Sequence, residues 1–262
     1  MKSKVDIYRE YSIKYDPKTG KIYSSMFGWI NPLLINGNAK LGKGVYTFST
    51  LPTNKTFNFD VNGVQFEIKG TCPCSCKGCY ATKSRYTFKS VVRANGIKTI
   101  LAMRDRDFVK RAIIAQIKAD GIQLCRIHAS GDFFSIEYVN MWREIVAECS
   151  GTVFWTYTKN VQFEKSFDDL NNINILKSII PGIGFNYGHC DYIIKAYNAL
   201  KAAGKNVYIC RCGINKDQHC TNCRGCSKNE YVLFIEHSTN YVAENDPAYN
   251  ELKDIIEKQE RM

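Results

Sequence analysis

A run of closely spaced cysteines is the part of this sequence best suited to chemistry. Cys72, Cys74, Cys76 and Cys79 fall within eight positions, directly after the alternating apolar pattern of residues 64–69. Cys72, Cys76 and Cys79 have the spacing Cys-x3-Cys-x2-Cys, which suits thiolates around one face of a cubane iron–sulfur cluster. Such a cluster normally takes a fourth cysteine, so this set leaves one iron open to an outside ligand. The spacing predicts a reactive iron–sulfur site, with Cys74 able to compete with Cys72 for one iron.

A second cysteine group lies near the end of the chain. Four thiols come from one loop: Cys212, Cys220, Cys223 and Cys226. Cys210 and His219 lie nearby in the sequence as spare donors. Four-sulfur sites hold either zinc or an iron–sulfur cluster. The Cys-x2-Cys-x2-Cys portion suits a cluster. We favour zinc, because a closed tetrahedral site would brace the loop before the last strand, and a second cluster stays as the alternative.

The composition is that of an ordinary globular protein. The chain has 262 residues, of which 45% are hydrophobic and 23% charged, enough for one large α/β domain or two small ones. It has no apolar run of about 18–20 residues, the length that a membrane span needs, and its first residues lack the apolar segment of a secretory signal. We therefore expect a cytoplasmic protein, in which the twelve cysteines stay reduced.

The charge balance permits a phosphate-bearing partner. The formal net charge is +11 and the pI is about 9.0. A basic protein can bind RNA through its phosphates, but here the lysines and arginines are spread along the whole chain without a dense block. A basic, zinc-stapled nucleic-acid-binding protein, in which both cysteine groups bind zinc, is therefore kept as the non-enzymatic alternative.

Helical and strand patterns alternate after residue 60. Asn62-Gly63 predicts a hairpin turn between strands at 57–61 and 64–69. Beyond it, the periodicity predicts strands at 122–128, 152–157, 173–180, 206–210 and 231–236, separated by helices at 87–93, 104–119, 135–148, 163–172 and 191–203. This alternation predicts an α/β fold with about six parallel strands, which is a partial (βα)6 barrel. Residues 1–60 are expected to be an irregular, partly β extension packed on a core of residues 61–262, which ends in an amphipathic helix.

The predicted strands bring the polar candidates to one edge. In parallel α/β sheets the functional site forms at the carboxyl ends of the strands. The cysteine loop, residues 128–132, residues 158–160 and residues 184–186 all leave predicted strands at that end. We therefore expect these loops to surround one site.

These features together resemble the radical S-adenosylmethionine (SAM) superfamily. The resemblance is carried by the Cys72, Cys76 and Cys79 spacing and by Ser130-Gly131-Asp132, which stands where that family has a Gly-Gly-Glu-like turn for the SAM amino group. It implies a [4Fe–4S] cluster, SAM bound to the open iron, and a 5′-deoxyadenosyl radical that abstracts hydrogen from a substrate. It also implies an electron donor such as flavodoxin or ferredoxin. The aromatic residue usual before the third cysteine is replaced by Gly78, so adenine packing would move to Tyr80 or elsewhere.

A closer resemblance concerns short strings of sequence. Gly78-Cys79-Tyr80-Ala81-Thr82-Lys83, Ser130-Gly131-Asp132-Phe133-Phe134-Ser135 and Cys223-Arg224-Gly225-Cys226 are similar to a small radical SAM-like family of phages and gut bacteria. Its best understood type is similar to queuine lyase. This resemblance implies cleavage of queuine, a free 7-deazaguanine base, to 7-aminomethyl-7-deazaguanine for tRNA modification. A radical SAM enzyme acting on modified tRNA or on another nucleobase is the alternative.

Several polar residues at predicted strand ends are candidates for ligand contacts. Arg126 and His128 alternate along one strand, so both are expected to contact SAM or the substrate, or else to pair inside the sheet. A deazaguanine edge presents N–H donors, and Glu236, beside His237, is our candidate acceptor for them. Lys159 and Asn186 are further substrate candidates of the same kind.

Overall fold

A computed structural model of the chain describes residues 2–37, 41–76, 79–211, 214, 219–223, 225–235 and 243–260. The helices are α1 (Lys4–Glu10), α2 (Lys89–Arg104), α3 (Arg106–Asp120), α4 (Ile136–Glu148), α5 (Cys190–Ala202), α6 (Cys220–Cys223), α7 (Gly225–Lys228) and α8 (Tyr249–Glu260). The strands are β1 (Tyr15–Asp16), β2 (Lys21–Ser24), β3 (Gly28–Ile30), β4 (Ile35–Asn36), β5 (Val45–Thr47), β6 (Thr56–Val61), β7 (Val64–Lys69), β8 (Leu124–Arg126), β9 (Val153–Thr158), β10 (Ile173–Lys177), β11 (Ile179–Ile180), β12 (Gly184–Phe185), β13 (Tyr187–Gly188), β14 (Val207–Ile209) and β15 (Tyr231–Ile235). None of the described helices combines the length and apolar content needed to cross a membrane.

The main sheet is built from βα units. Its strand order is β10-β9-β8-β5-β4, in which β5, β8, β9 and β10 are parallel and β4 is an antiparallel edge strand. Helices α2 and α3 lie between β5 and β8 in the chain, and α4 lies between β8 and β9, because parallel neighbours need a crossover connection. The carboxyl ends of β5, β8, β9 and β10 therefore share one edge of the sheet.

The parallel strands do not form one barrel. A second parallel sheet has the order β13-β15-β14, and no hydrogen-bonded closure joins it to the main sheet within the described residues. The chain leaves β10 through the short antiparallel pair β11–β12, and the turn between them has Gly182 with φ of +75°. No helix separates β10 from this turn, so the βα alternation stops there. The parallel strands thus lie in two separate sheets of a mixed α/β fold, and the described residues do not form the expected single partial (βα)6 barrel.

A hairpin interrupts the chain between β5 and the cysteine loop. Strands β6 and β7 pair antiparallel around Asn62-Gly63, whose φ values of +55° and +84° confirm the predicted turn. The sequence pattern predicted that β7 is the first strand of the parallel sheet. This prediction was wrong, because the β6–β7 hairpin forms its own sheet. The first strand of the parallel sheet is β5, which lies inside the predicted extension, and a boundary at residue 60 would therefore cut the main sheet.

Local sequence signals explain where the helices begin and end. The Ser135 hydroxyl accepts a hydrogen bond from the Tyr138 N–H and caps α4, while Asp105 caps α3 in the same way from Phe108. The largest buried side chains of α4, Tyr138 and Trp142, pack in the core beneath the main sheet. Helix α1, capped by Ser3, was not predicted, because a seven-residue element shows too little periodicity.

One core lysine has no hydrogen-bond acceptor in the part of the chain that the structure describes. Lys98 of α2 is 4% exposed, and its ammonium lies 5.6 Å from the centre of the Phe48 ring with no hydrogen-bond partner among the described residues. Burial lowers the pKa of Lys98 from 10.5 to about 8, because the charged form loses its hydration. In the folded protein the amine is therefore still charged at pH 7, and it loses its proton at a lower pH than in the unfolded chain.

We expect Lys98→Met to stabilise the fold. At pH 7 the free energy of unfolding should rise by about 3 kcal/mol, because the cost of burying a charge disappears. In the wild type, the unfolded chain keeps a proton between pH 8 and 10.5 that the folded chain has released. Urea titrations should therefore show wild-type stability rising with pH across this window, and Lys98→Met should lack the rise. Lys89→Met, at the exposed start of the same helix, is the control. It should change neither the free energy of unfolding at pH 7 nor its rise with pH.

Candidate functional site

The cysteine loop is fastened to the carboxyl end of β5. After the hairpin, Gly70 and Thr71 donate their N–H groups to the carbonyls of Lys55 and Leu51, at 2.8 and 2.9 Å. Cys72 donates in the same way to Thr53, at 3.0 Å. The residues that follow β5 and those that follow β7 thus run side by side. The β6–β7 hairpin therefore brings the chain back to the carboxyl end of β5. The cysteine loop thus lies at the edge of the sheet where the sequence predicts a functional site.

The thiols of this loop lie close to one another and to a cation. Cys72, Cys76 and Cys79 are partly buried, and Cys79 acts electrostatically on both of the other two. Burial raises the pKa of the Cys72 thiol to about 12, and the Lys159 ammonium opposes this rise. The pKa of Cys76 is also raised by burial and lowered by Lys159. Lys159 is therefore the positive charge that favours thiolates in this loop.

The described residues contain no preformed metal cage. No set of three or more Cys, His, Asp and Glu side chains within them is placed as ligands of one metal ion. The cysteines within the described part of the chain are also free of disulfide bonds, including Cys72, Cys74, Cys76 and Cys79. The thiols of the loop would have to turn toward a common centre to bind a cluster.

Asp132 holds three neighbouring loops together. Its carboxylate is fully buried and accepts hydrogen bonds from the Phe133 N–H at 2.8 Å, the Thr158 hydroxyl at 2.7 Å and the Lys159 N–H at 2.8 Å. Its own N–H donates to the Thr71 hydroxyl at 3.0 Å. These donors satisfy the carboxylate from within the chain. The structure therefore gives Asp132 an organising role and not the expected direct contact with the SAM amino group.

The residues before Asp132 fix the same loop. Ser130 exchanges two hydrogen bonds with Thr50: its hydroxyl donates to the Thr50 carbonyl at 2.8 Å, and its carbonyl accepts from the Thr50 N–H at 3.0 Å. Gly131 has a φ of +85°, and a Cβ there would lie 1.8 Å from the Thr50 hydroxyl oxygen. Both observations explain why Ser130 and Gly131 precede the acid here.

Gly131→Ala should destabilise the protein by about 3 kcal/mol, because a left-handed backbone and an overpacked side chain each cost about 1–3 kcal/mol. Gly121→Ala is the matched control, since Gly121 also has a positive φ, of +61°, but a Cβ added there would meet no described atom within 4 Å. Its loss should be about 1 kcal/mol. Urea denaturation of both variants measures the difference. Equal losses would contradict the packing explanation.

Arg126 and Tyr80 meet above the sheet. Arg126 is the last residue of β8, and its Nη2 donates to the Tyr80 hydroxyl at 3.3 Å. The Tyr80 hydroxyl in turn donates to the Ala129 carbonyl at 2.5 Å. The Tyr80 ring is 52% exposed and directly follows Cys79, so it is available for contact with a ligand.

Two other predicted site residues have their side chains held by contacts within the protein. His128 has a φ of +61°, which turns its side chain into the core, where Nε2 lies 2.8 Å from the Tyr138 hydroxyl. Burial, with Arg126 nearby, lowers the pKa of His128 to about 3, so this imidazole is neutral. The Asn186 amide donates to the Val232 carbonyl at 3.1 Å and links the junction of β12 and β13 to β15. The side chains of His128 and Asn186 are therefore engaged within the protein and not in the expected ligand contacts. Glu236 and His237, the other two substrate candidates, lie outside the described residues.

The described members of the second cysteine group line a pocket beside β8 and β9 of the main sheet. Cys210, Cys220, Cys223 and Cys226 share this pocket with Leu124 and Trp155. The Tyr157 hydroxyl donates to the Cys226 sulfur at 2.8 Å, and the Tyr208 hydroxyl lies 3.1 Å from the Cys223 sulfur. Cys212 lies outside the described residues. Cys210, expected only as a spare donor, therefore joins three of the predicted ligands.

Sequence reasoning missed the threonines that connect these loops. The Thr71 hydroxyl lies 2.8 Å from that of Thr50, donates to the Leu51 carbonyl at 3.1 Å and accepts from Asp132. Thr158 binds the Asp132 carboxylate. The only signal for Thr71 and Thr158 was position, since each directly precedes a predicted site residue.

Comparison with known proteins corrects the family assignment. The family model described as Gene product 88 matches residues 32–180. The Gene 88 protein of Mycobacterium phage D29 is 29% identical over 108 residues, a match that covers 37% of this chain and 45% of the phage protein. No solved structure matches the chain.

The assignment to the radical SAM superfamily, and within it to the queuine lyase-like branch, is therefore wrong, because the matching family model is a different one. The cysteine spacing and the short strings specify a local arrangement of thiols, and similar local arrangements do not require common descent. The matched range includes the first cysteine loop, Asp132 and Lys159, and it ends before the second cysteine group. Since one family model covers more than half of its length, the chain belongs to the Gene product 88 family.

Proposed function

We propose that the chain is an enzyme of one-electron chemistry, in which Cys72, Cys76 and Cys79 hold a [4Fe–4S] cluster whose open iron binds SAM. The observation that carries this proposal is the neighbourhood of these thiols and the Lys159 ammonium at the carboxyl edge of the main sheet. When bound, such a cluster supplies the electron that splits a carbon–sulfur bond of SAM.

The donor set supports a cluster with an open position. The spacing offers three thiols, and a cluster with only three cysteine ligands keeps one iron for another molecule. Cys74 lies beside Cys76 and is the alternative ligand. The loop is tied to the scaffold by backbone hydrogen bonds at Thr71 and Cys72, so the cysteines begin from a fixed point.

Lys159 would neutralise the negative charge of the thiolates. Burial alone would lower the pKa of its amine, but Cys76, Asp132 and Cys72 raise it above the ordinary value, so this side chain is an ammonium at neutral pH. Its ammonium forms no ion pair with a carboxylate in the described part of the chain, and only its backbone N–H binds Asp132. A cation held beside the thiols would stabilise their charged form.

Tyr80 and Asp132 would have different parts in binding. The exposed Tyr80 ring directly after Cys79 offers a flat apolar face to the adenine of SAM. Asp132 would act indirectly, by keeping the Lys159 backbone beside the cysteine loop. Free cysteines in this arrangement also favour a reducing, cytoplasmic setting with a flavodoxin- or ferredoxin-like electron donor.

The second cysteine group would hold its own metal, with Cys220, Cys223 and Cys226 as ligands and Cys210 or Cys212 as the fourth. Zinc is our preferred metal, because the group packs against the sheet and would brace α6 and α7. The queuine substrate came from the corrected resemblance, and no described residue supports it, so we propose only a small-molecule substrate.

The test is anaerobic reconstitution with iron and sulfide, followed by reduction with dithionite and addition of SAM. We expect a brown protein that converts SAM to 5′-deoxyadenosine. A colourless protein that binds zinc at both cysteine groups and releases no 5′-deoxyadenosine would overturn the proposal and favour the zinc-stapled alternative. Metal analysis of the same sample separates the two cysteine groups, since zinc is expected at the second.

A further inference from the structure

The Arg126 guanidinium lies between the two cysteine groups. It shares a hydrogen bond with Tyr80, which follows Cys79, and its Cζ lies 5.2 Å from the centre of the Tyr157 ring. Tyr157 donates to Cys226 of the second group. Arg126 thus stands at the carboxyl end of β8, beside both candidate metal sites but in neither.

Among the described residues, no carboxylate compensates this cation. The titratable side chains with the strongest electrostatic effect on Arg126 are Tyr80, Tyr157, Cys226 and Tyr86, which are phenols and a thiol. None of the ion pairs in the described part of the chain includes it. A guanidinium stays charged in proteins, so the positive charge is present at any working pH.

The hydrogen-bonding capacity of Arg126 is also largely unused. Its Nε is buried and has no acceptor among the described residues, where its one hydrogen bond, to Tyr80, has a length of 3.3 Å. The hydroxyls of Tyr80 and Tyr86 donate to the Ala129 carbonyl, and that of Tyr157 donates to Cys226. The neighbours of Arg126 therefore hold it in place without satisfying its donors, and leaving buried polar groups unpaired is costly.

We propose that Arg126 anchors an oxyanion-binding subsite, which takes the carboxylate or phosphate group of a small-molecule ligand. The planar fork of a guanidinium matches both anions through paired hydrogen bonds. The Tyr157 ring supports one face of the guanidinium, and the exposed Tyr80 ring borders the subsite. The subsite does not depend on a bound cluster, so it stands or falls separately from the proposed function.

The experiment is a titration of the full-length protein with inorganic phosphate and, separately, with malonate, at constant ionic strength set by chloride. Calorimetry gives the affinity and thermal unfolding gives the shift in Tm. Arg126→Met should weaken binding about 10- to 100-fold, because charge-assisted hydrogen bonds are lost. Arg93→Met is the matched control: Arg93 is exposed on α2, and its loss removes the same charge but should leave the affinity unchanged.

The two anions distinguish the sources of the ligand group. Binding of phosphate alone indicates a phosphorylated ligand, binding of malonate alone indicates a carboxylate, and either supports the subsite. In anion-free buffer, Arg126→Met should be at least as stable as the wild type, since an uncompensated charge has been removed. If this variant does not fold, Arg126→Lys decides, because it keeps the charge, loses the fork and should bind about tenfold more weakly. Binding of neither anion by the wild type, or equal binding by Arg126 and Arg93 variants, would overturn the proposal.

Discussion

Cys76→Ala should lose both the brown colour and the cleavage of SAM, whereas Cys74→Ala should keep them. The two cysteines lie in the same loop and act electrostatically on each other, so the pair of variants separates ligation from general loop chemistry. Loss of even an outer partner of a metal ligand costs about 10- to 100-fold, and loss of a ligand itself should reduce SAM cleavage by more than about 100-fold. Iron content, visible absorbance and 5′-deoxyadenosine are measured on the same reconstituted samples.

The outcomes for the remaining cysteines define the ligand set. Cys72→Ala and Cys79→Ala should behave as Cys76→Ala does. If Cys74→Ala loses the colour and Cys72→Ala keeps it, then Cys74 and not Cys72 is the cluster ligand. Full iron content and cleavage in Cys76→Ala would refute the cluster at this loop. Cys223→Ala should act differently, by lowering stability while sparing the first site, because a structural metal contributes folding energy.

Asp132→Ala should lower the free energy of unfolding by about 4 kcal/mol, since each hydrogen bond to a buried charged group is worth about 1.5–3 kcal/mol and unpaired donors are costly. Its carboxylate accepts from Phe133, Thr158 and Lys159, and alanine would leave all of these donors unsatisfied. Urea denaturation followed by circular dichroism measures the loss.

Asp132→Asn is the informative companion variant. Asparagine has nearly the same shape and keeps one carbonyl oxygen, but it places an amide NH2 against donors, so the loss should be smaller than for alanine. Asp169→Ala is the exposed control, because Asp169 pairs with Arg143 at the surface, where ion pairs contribute at most about 1 kcal/mol. A loss for Asp132→Ala no larger than that of the control would show that the carboxylate does not hold the loops together.

The sequence predicted the elements well where the pattern was local. The β6–β7 hairpin followed from Asn62-Gly63, and α4 follows Ser135, where the sequence placed its start. These signals involve residues that are neighbours in the chain, and hydrogen bonding within a turn or cap is enough to produce them. The strand β5 was missed because its three residues follow a glycine-containing stretch and are too few to show a period.

The roles of the polar residues were less predictable. Arg126 and His128 alternate, and a continuous strand would put both side chains on one face. The strand ends at Arg126, and the left-handed backbone at His128 directs the imidazole into the core instead. For Asp132, the residue type suggested a contact with a bound ammonium. Two of the three donors that satisfy its carboxylate, from Thr158 and Lys159, come from the end of β9 and the loop that follows, which are distant in the chain.

By itself, the sequence determined the two cysteine groups, their spacing and the longer helices and strands, because each depends on residues a few positions apart. The helix predicted at 163–172 was wrong, since the structure has only a short 3-10 turn at Val161–Phe163 there. Only the tertiary structure decided that Lys159 faces the first group, that Cys210 joins the second and that Arg126 lies between them with no carboxylate partner among the described residues. These relations depend on hydrogen bonds and packing between strands far apart in the chain, which no local pattern specifies.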